Sequence, residues 1–255
     1  MAQIGTLEWA RATGGRLSTA ERLRLLAAGL RFQIARTAPW RRRRARLDRE
    51  ALSGVELPER PPDSRSARDA EELCRELSSE SLLNHCLRTY LWGALLGQRD
   101  RLSWDQELLY VAAMLHDLGF TEEHARRDPD AHCFAVEGAR AAGRFAADAG
   151  WEAARSDALE EAICLHINVE VPLDHGAEAH LLFRGAGYDV IGRGLGAIAR
   201  PLRGEVLERH PRLETKAEFD RLMRAESEAR PASRSHLYVR YGGFLRLIER
   251  APFES

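Results

Sequence analysis

Two histidines and two aspartates set out the chemistry open to this chain: His85 in "LLNHCLRTY", His116 and Asp117 in "YVAAMLHDLGF", and Asp189 in "GAGYDVIG". Burying an imidazole or a carboxylate costs free energy unless the group finds a partner, and here a His-Asp pair closes a run of apolar residues. Neutral imidazole nitrogens and carboxylate oxygens suit Zn, Fe, Mn or Co, and a set of this size leaves room for water on a metal that accepts more ligands. Successive helix residues differ by about 100° in direction, so His116 and Asp117 converge on one ion only where their helix ends. Taken alone, His85 reads as a hydrogen-bonded core residue sooner than as a ligand.

Further groups surround this set. His166, near the end of "LEEAICLHINVEVP", should point inward, where it faces a substrate, transfers protons, or bonds to backbone. Glu137 in "FAVEGA" offers a carboxylate base. His175 follows "VPLD" in an expected loop, either over the site or simply on the surface. Cys133 and Cys164 lack the neighbouring base that activates a thiol. The glycines of "GAGYDVIGRGLG" follow no strand and lack the Lys-Ser/Thr of a phosphate loop.

The elements that must position these groups read as helices throughout, with no long alternating run, so the expected class is all-α. "STAERLRLLAAGLRFQIA" opens with a capping box, Ser18 with Glu21, and carries Leu23, Leu25, Leu26, Leu30 and Ile34 on a broad apolar face. The prolines of 53–66 mark irregular chain, which places a boundary between an N-terminal extension, 1–62, and a domain, 63–255, that carries the groups above. Within the latter, helices are expected over 66–77, 80–97, 104–117, 133–148, 152–166, 177–199 with a break, 215–229 and 236–250. Ser103 with Gln106 should cap the helix that carries His116, and Gly119 should end it in a left-handed turn.

With 255 residues, 44% of them hydrophobic, the chain can bury a core without staples. Its four cysteines show no C-x-x-C spacing and fit a reduced, cytoplasmic setting. The N-terminus lacks the apolar core of a signal peptide, and Leu108 to Leu115 is too short to span a bilayer. A net charge of −1 exerts no general pull on nucleic acid or anionic lipid. The local exception, Arg41 to Arg44 in "WRRRR", reads as solvated surface in a chain whose only lysine is Lys216.

The order His, then His-Asp at a helix end, then Asp resembles the HD superfamily of metal-dependent hydrolases. On that resemblance His85, His116, Asp117 and Asp189 are metal ligands in a helical core with additional N- and C-terminal helices. "LLNHCLRTY", "DQELLYVAAMLHDLGF", "FAVEGA", "AICLHINV" and "LLFRGAGYDVIG" are similar, in that order, to the cyanamide hydratase branch. "HPRL" at 210–213 and "ARP…SH" at 229–236 have counterparts there too, so the likeness covers most of 75–240. Dinuclear members of the superfamily carry a further histidine where this chain has Phe134, although His132 lies two residues away.

The resemblance implies an enzyme with one divalent transition metal, Zn or Fe foremost and Mn, Co or Ni as alternatives, acting on a small molecule. Activated water would hydrate a nitrile-like substrate while His166 protonates nitrogen. The rival is hydrolysis of a phosphate ester or nucleotide, with Arg88 or Arg184 balancing the phosphoryl charge. A third reading is a ligand sensor without turnover. Nothing at this level points to a membrane or nucleic-acid partner, and homo-oligomerisation stays open.

Overall fold

The computed structural model describes residues 2–37, 55–125 and 130–253. All regular structure among them is helical. Side-chain caps begin several helices: Thr6 starts α1 (Leu7–Thr13), Ser64 starts α3 (Arg65–Leu77), Ser79 starts α4 (Glu80–Arg99) and Asp105 starts α5 (Gln106–Leu115). Each cap oxygen accepts an otherwise orphaned backbone N–H of the first turn. α2 (Thr19–Thr37) opens with the expected box, Ser18 N–H donating to Glu21 and Glu21 N–H to Ser18 Oγ. There follow α6 (Phe134–Asp148), α7 (Ala153–Leu165), α8 (Ala177–Ile191), α9 (Arg200–Arg209), α10 (Thr215–Ala229), α11 (Arg234–Arg240) and α12 (Phe244–Glu249).

α4 and α8 form the axis of the core, and glycines set how closely they approach. A Cβ on Gly185 would collide with the carbonyl oxygen of Thr89, and one on Gly93 would press on the carbonyl of Leu181. Small residues on facing helices allow this backbone contact, which brings His85 of α4 near Asp189 of α8. α5 is apolar all round, buried from Leu108 to Leu115, as a helix must be when neighbours cover every face. It runs through the interior and delivers His116 and Asp117 at its end.

The helix expected to start at Ser103 starts instead at Asp105, whose carboxylate accepts from Leu108 N–H at 3.0 Å. Gly119 is not a left-handed cap either. It lies in a short turn, Leu118–Phe120, where a Cβ would strike the carbonyl of Phe134, so close approach to α6 accounts for the glycine. The long segment after Ala177 breaks at Gly192 (φ 66°), and the last one breaks at Gly243 (φ 65°). α1 and α9 fall outside the expected helices. The apolar face of α2 is only partly used: Leu25 is buried, while Leu23 and Leu30 are exposed, because α2 lies at the edge of the bundle.

Residues N-terminal to the expected boundary at 62 join the same core. Leu7, Trp9, Ala10, Leu17 and Leu25 pack with residues of the later helices. Polar ties reinforce this: Leu17 N–H donates to Ala232 O at 2.9 Å, and the Arg234 guanidinium lies over the Trp9 ring. Arg41 to Arg44 fall outside the described residues. No helix among the described residues is long and apolar enough to cross a membrane.

Candidate active site

Helical spacing on α4 builds the back of the site. His85, Arg88 and Trp92 stand at i, i+3 and i+7, hence on one face, and all three meet Asp189. Arg88 forms a fork with that carboxylate, Nε to Oδ1 at 2.8 Å and Nη2 to Oδ2 at 2.9 Å. Trp92 Nε1 donates to Oδ1 at 2.9 Å, and Arg212 Nη1 adds a contact at 3.2 Å. The remaining partner of Asp189 is Nδ1 of His85, at 2.8 Å. Burial alone would raise the Asp189 pKa, but Arg88, His85 and Arg212 outweigh it and hold the carboxyl well below its usual range.

That bond fixes His85. With Nδ1 donating to Asp189, a neutral ring presents its lone pair at Nε2. His116 is oriented the same way, its Nδ1 donating to Ala113 O at 2.7 Å, and so is His166, its Nδ1 donating to Ile163 O at 2.6 Å. Both His116 and His166 are the residues just past the end of their helices, where the ring reaches back to a carbonyl of the last turn. Nε2 of His85 and Nε2 of His116 stand 3.1 Å apart. Asp117 Oδ2 lies 3.5 Å from the first and 3.3 Å from the second.

This Oδ2 is buried and has no hydrogen-bond partner. Lone pairs crowded in this way repel one another unless a cation or proton sits among them. The ligand atoms of His85, His116 and Asp117 all lie within 4.8 Å of one another, and two imidazole nitrogens with a carboxylate oxygen are the donors a divalent transition metal prefers. The residues present therefore fit such an ion.

Three of the four residues expected as ligands converge. Asp189 does not: it lies on the Nδ1 side of His85, away from the Nε2 cluster, with both oxygens engaged by Arg88. Such a carboxylate behind a ligating histidine fixes the ring and raises its basicity. Arg88 and Trp92 share the face of α4 that carries His85, and the forked cation claims the carboxylate once α8 packs against that face.

His166 joins the cluster. Its Nε2 stands 3.7 Å from Asp117 Oδ1, and its ring meets His116 edge-on at 4.9 Å. Burial, followed by the neighbouring His116, pushes its pKa down to about 3, so the ring is neutral. Asp117 goes down to about 2: burial opposes ionisation, but His116, His85 and His166 more than offset it.

His85, His116, Asp117 and His166 line a cavity of about 80 Å³. Its walls are mainly apolar, including Phe120, Phe134, Phe183 and Phe219. Phe134 stacks on Phe120 at 3.8 Å and turns its ring edge-on to His166 at 5.6 Å. His132 does not line the cavity.

Glu137, expected as a base, is not brought to the cavity. Its Oε2 accepts from Arg230 Nη2 at 2.7 Å, and the same guanidinium binds Glu226 at 2.7 Å, a buried structural network. The arginines expected to balance a phosphoryl group are likewise committed elsewhere, Arg88 to Asp189 and Arg184 to Asp100. His175 pairs with Glu161 outside the cavity. Sequence reasoning passed over Ser235 and Tyr238, which line the cavity from α11 and have no mark of their own in the sequence.

The chain is similar to two proteins of Saccharomyces cerevisiae (strain ATCC 204508 / S288c), cyanamide hydratase DDI2 and cyanamide hydratase DDI3, each 34% identical over 68 residues. That stretch is 26% of this chain and 30% of each yeast protein, so the chain spans less than a third of the relatives it matches. The HD domain family matches residues 82–222, more than half of the chain. Since that span holds His85 on one helix, the His116-Asp117 pair at the end of the next, and Asp189 behind them, the chain belongs to the HD domain family.

Proposed function

We propose that this protein adds water to a small neutral molecule of the nitrile class, as a metal-dependent hydratase similar to cyanamide hydratase. The observation that carries the reading is the meeting of His85 Nε2, His116 Nε2 and the unpartnered Asp117 Oδ2 in the wall of a small, largely apolar cavity. Those three atoms would hold one divalent transition metal, Zn or Fe foremost. An ion so held is a Lewis acid and makes water nucleophilic near neutral pH.

The chain's own residues do the rest. Asp189, itself held by Arg88, Trp92 and Arg212, keeps Nδ1 of His85 protonated and its Nε2 lone pair aimed at the cluster. The neutral His166 acts first as a base: Nε2 accepts a proton as the water oxygen bonds to the nitrile carbon, then returns it to the nitrogen as the C≡N bond opens. One water is added, no group leaves, and tautomerisation gives an amide. The phenylalanine walls exclude bulk water and strengthen each polar interaction inside. Phe134 offers no lone pair where a second metal would need one, so the reading is of a single ion.

Size and charge favour this over phosphoester hydrolysis. An apolar cavity of about 150 Å³ takes benzene, so about 80 Å³ suits a substrate of only a few non-hydrogen atoms. The single guanidinium that lines it among the described residues, Arg193, donates to Val169 O at 2.8 Å and lies over the Phe183 ring. The test is turnover by purified, metal-loaded protein on cyanamide and short aliphatic nitriles beside phosphomonoesters and nucleotides. Turnover confined to the first group is the expected result; turnover confined to the phosphoesters, or none on either, would refute the assignment.

A further inference from the structure

The cavity has polar groups besides the histidine cluster. Ser235 and Tyr238 stand at i and i+3 on α11, so their side chains share one face, and both line the cavity that holds the histidine cluster. Ser235 is fully buried. The Oγ of Ser235 and the phenolic oxygen of Tyr238 are both buried atoms without a hydrogen-bond partner. A buried serine hydroxyl usually has a hydrogen-bond partner, and so does a buried tyrosine hydroxyl. Neither does so here. Burial has also pushed the Tyr238 pKa up to about 12, so its hydroxyl keeps its proton.

Of the other polar side chains around the cavity, Asp117 Oδ2 belongs to the histidine cluster and Arg193 Nη1 donates to Val169 O at 2.8 Å. Asn168 accepts from Arg234 at 2.7 Å and donates to Ile4 O at 2.9 Å. His166 uses Nδ1 on Ile163 O. Two unpaired buried hydroxyls in one small space carry a cost of desolvation that a bound ligand would remove.

We propose that Ser235 and Tyr238 are the recognition end of the site: they hydrogen-bond a neutral amino or amide-like head group whose reacting carbon lies toward His85, His116 and Asp117. Each hydroxyl both donates and accepts, so together they match a head group with N–H donors and a lone pair. Two neutral hydroxyls by themselves supply no charge to balance a dianionic phosphate. This assignment rests on the hydratase reading for the reaction but not for the binding, which is measured separately.

The experiment uses urea at millimolar concentration, the shape of a hydrated cyanamide, and inorganic phosphate as contrast. Binding of each is measured by titration calorimetry on the wild type, Ser235→Ala, Tyr238→Phe and the double variant, with metal content and melting temperature recorded. Each single change should weaken urea binding by roughly three- to tenfold, the loss of one hydrogen bond. Metal content should stay the same, and the melting temperature should be equal or higher, because an unsatisfied buried hydroxyl has been removed.

A drop in melting temperature with unchanged urea affinity would make the hydroxyls structural and overturn the proposal. Absence of urea binding to the wild type, or phosphate binding in preference to urea, would overturn it as well. If urea binding falls as expected while cyanamide is not turned over, the recognition end stands and the hydratase reaction fails alone.

Discussion

Replacing His166 with Asn should lower turnover by about 10²- to 10⁴-fold while leaving metal content unchanged, the range expected when general acid–base help is lost. The expectation rests on where the ring is held. Nδ1 is bound to Ile163 O and burial keeps the imidazole neutral, so Nε2 is the one lone pair free to take a proton beside the Asp117 carboxylate. Asn cannot perform that transfer. The shape of the pH profile should change too, since the group that cycles its proton is gone. Metal content, melting temperature and turnover measured on this one variant separate three roles. A loss of metal would make His166 a ligand, and a loss of stability with full turnover per folded molecule would make it a core residue.

The second large effect concerns the support behind His85. Arg88→Ala removes a fully buried guanidinium from Asp189 and leaves a carboxylate in the core with fewer partners. Breaking a buried ion pair in this way costs about 3–5 kcal/mol, which urea unfolding of the variant would register. Asp189→Asn is the gentler probe. If the carboxylate only orients the ring, metal affinity should fall by about 10- to 100-fold in a chelator competition, with metal still binding at saturation. Complete loss of the ion would return Asp189 to the ligand role that the resemblance implied.

These two cases show what the sequence could and could not disclose. Periodicity and apolar runs were enough for an all-α chain, and the position of His116 and Asp117 past a helix end was legible because only there can adjacent residues converge. Local signals failed where tertiary contact decides. Gly119 reads as a left-handed cap, yet its glycine is needed because the carbonyl of Phe134 lies against it. Glu137 has the chemistry of a base, but Arg230, far along the chain, claims its carboxylate. The fork from Arg88 to Asp189 depends on α4 and α8 meeting across Gly93 and Gly185, a closeness that no window of sequence contains. Ser235 and Tyr238 are ordinary residues until their hydroxyls are seen without partners.

If His85, His116 and Asp117 converge to hold a single divalent ion, elemental analysis of purified protein and of His116→Ala decides it. One equivalent of a transition metal per chain is expected in the wild type and close to none in the variant. A variant that retains its full metal, or a wild type that binds two equivalents or none, would contradict it.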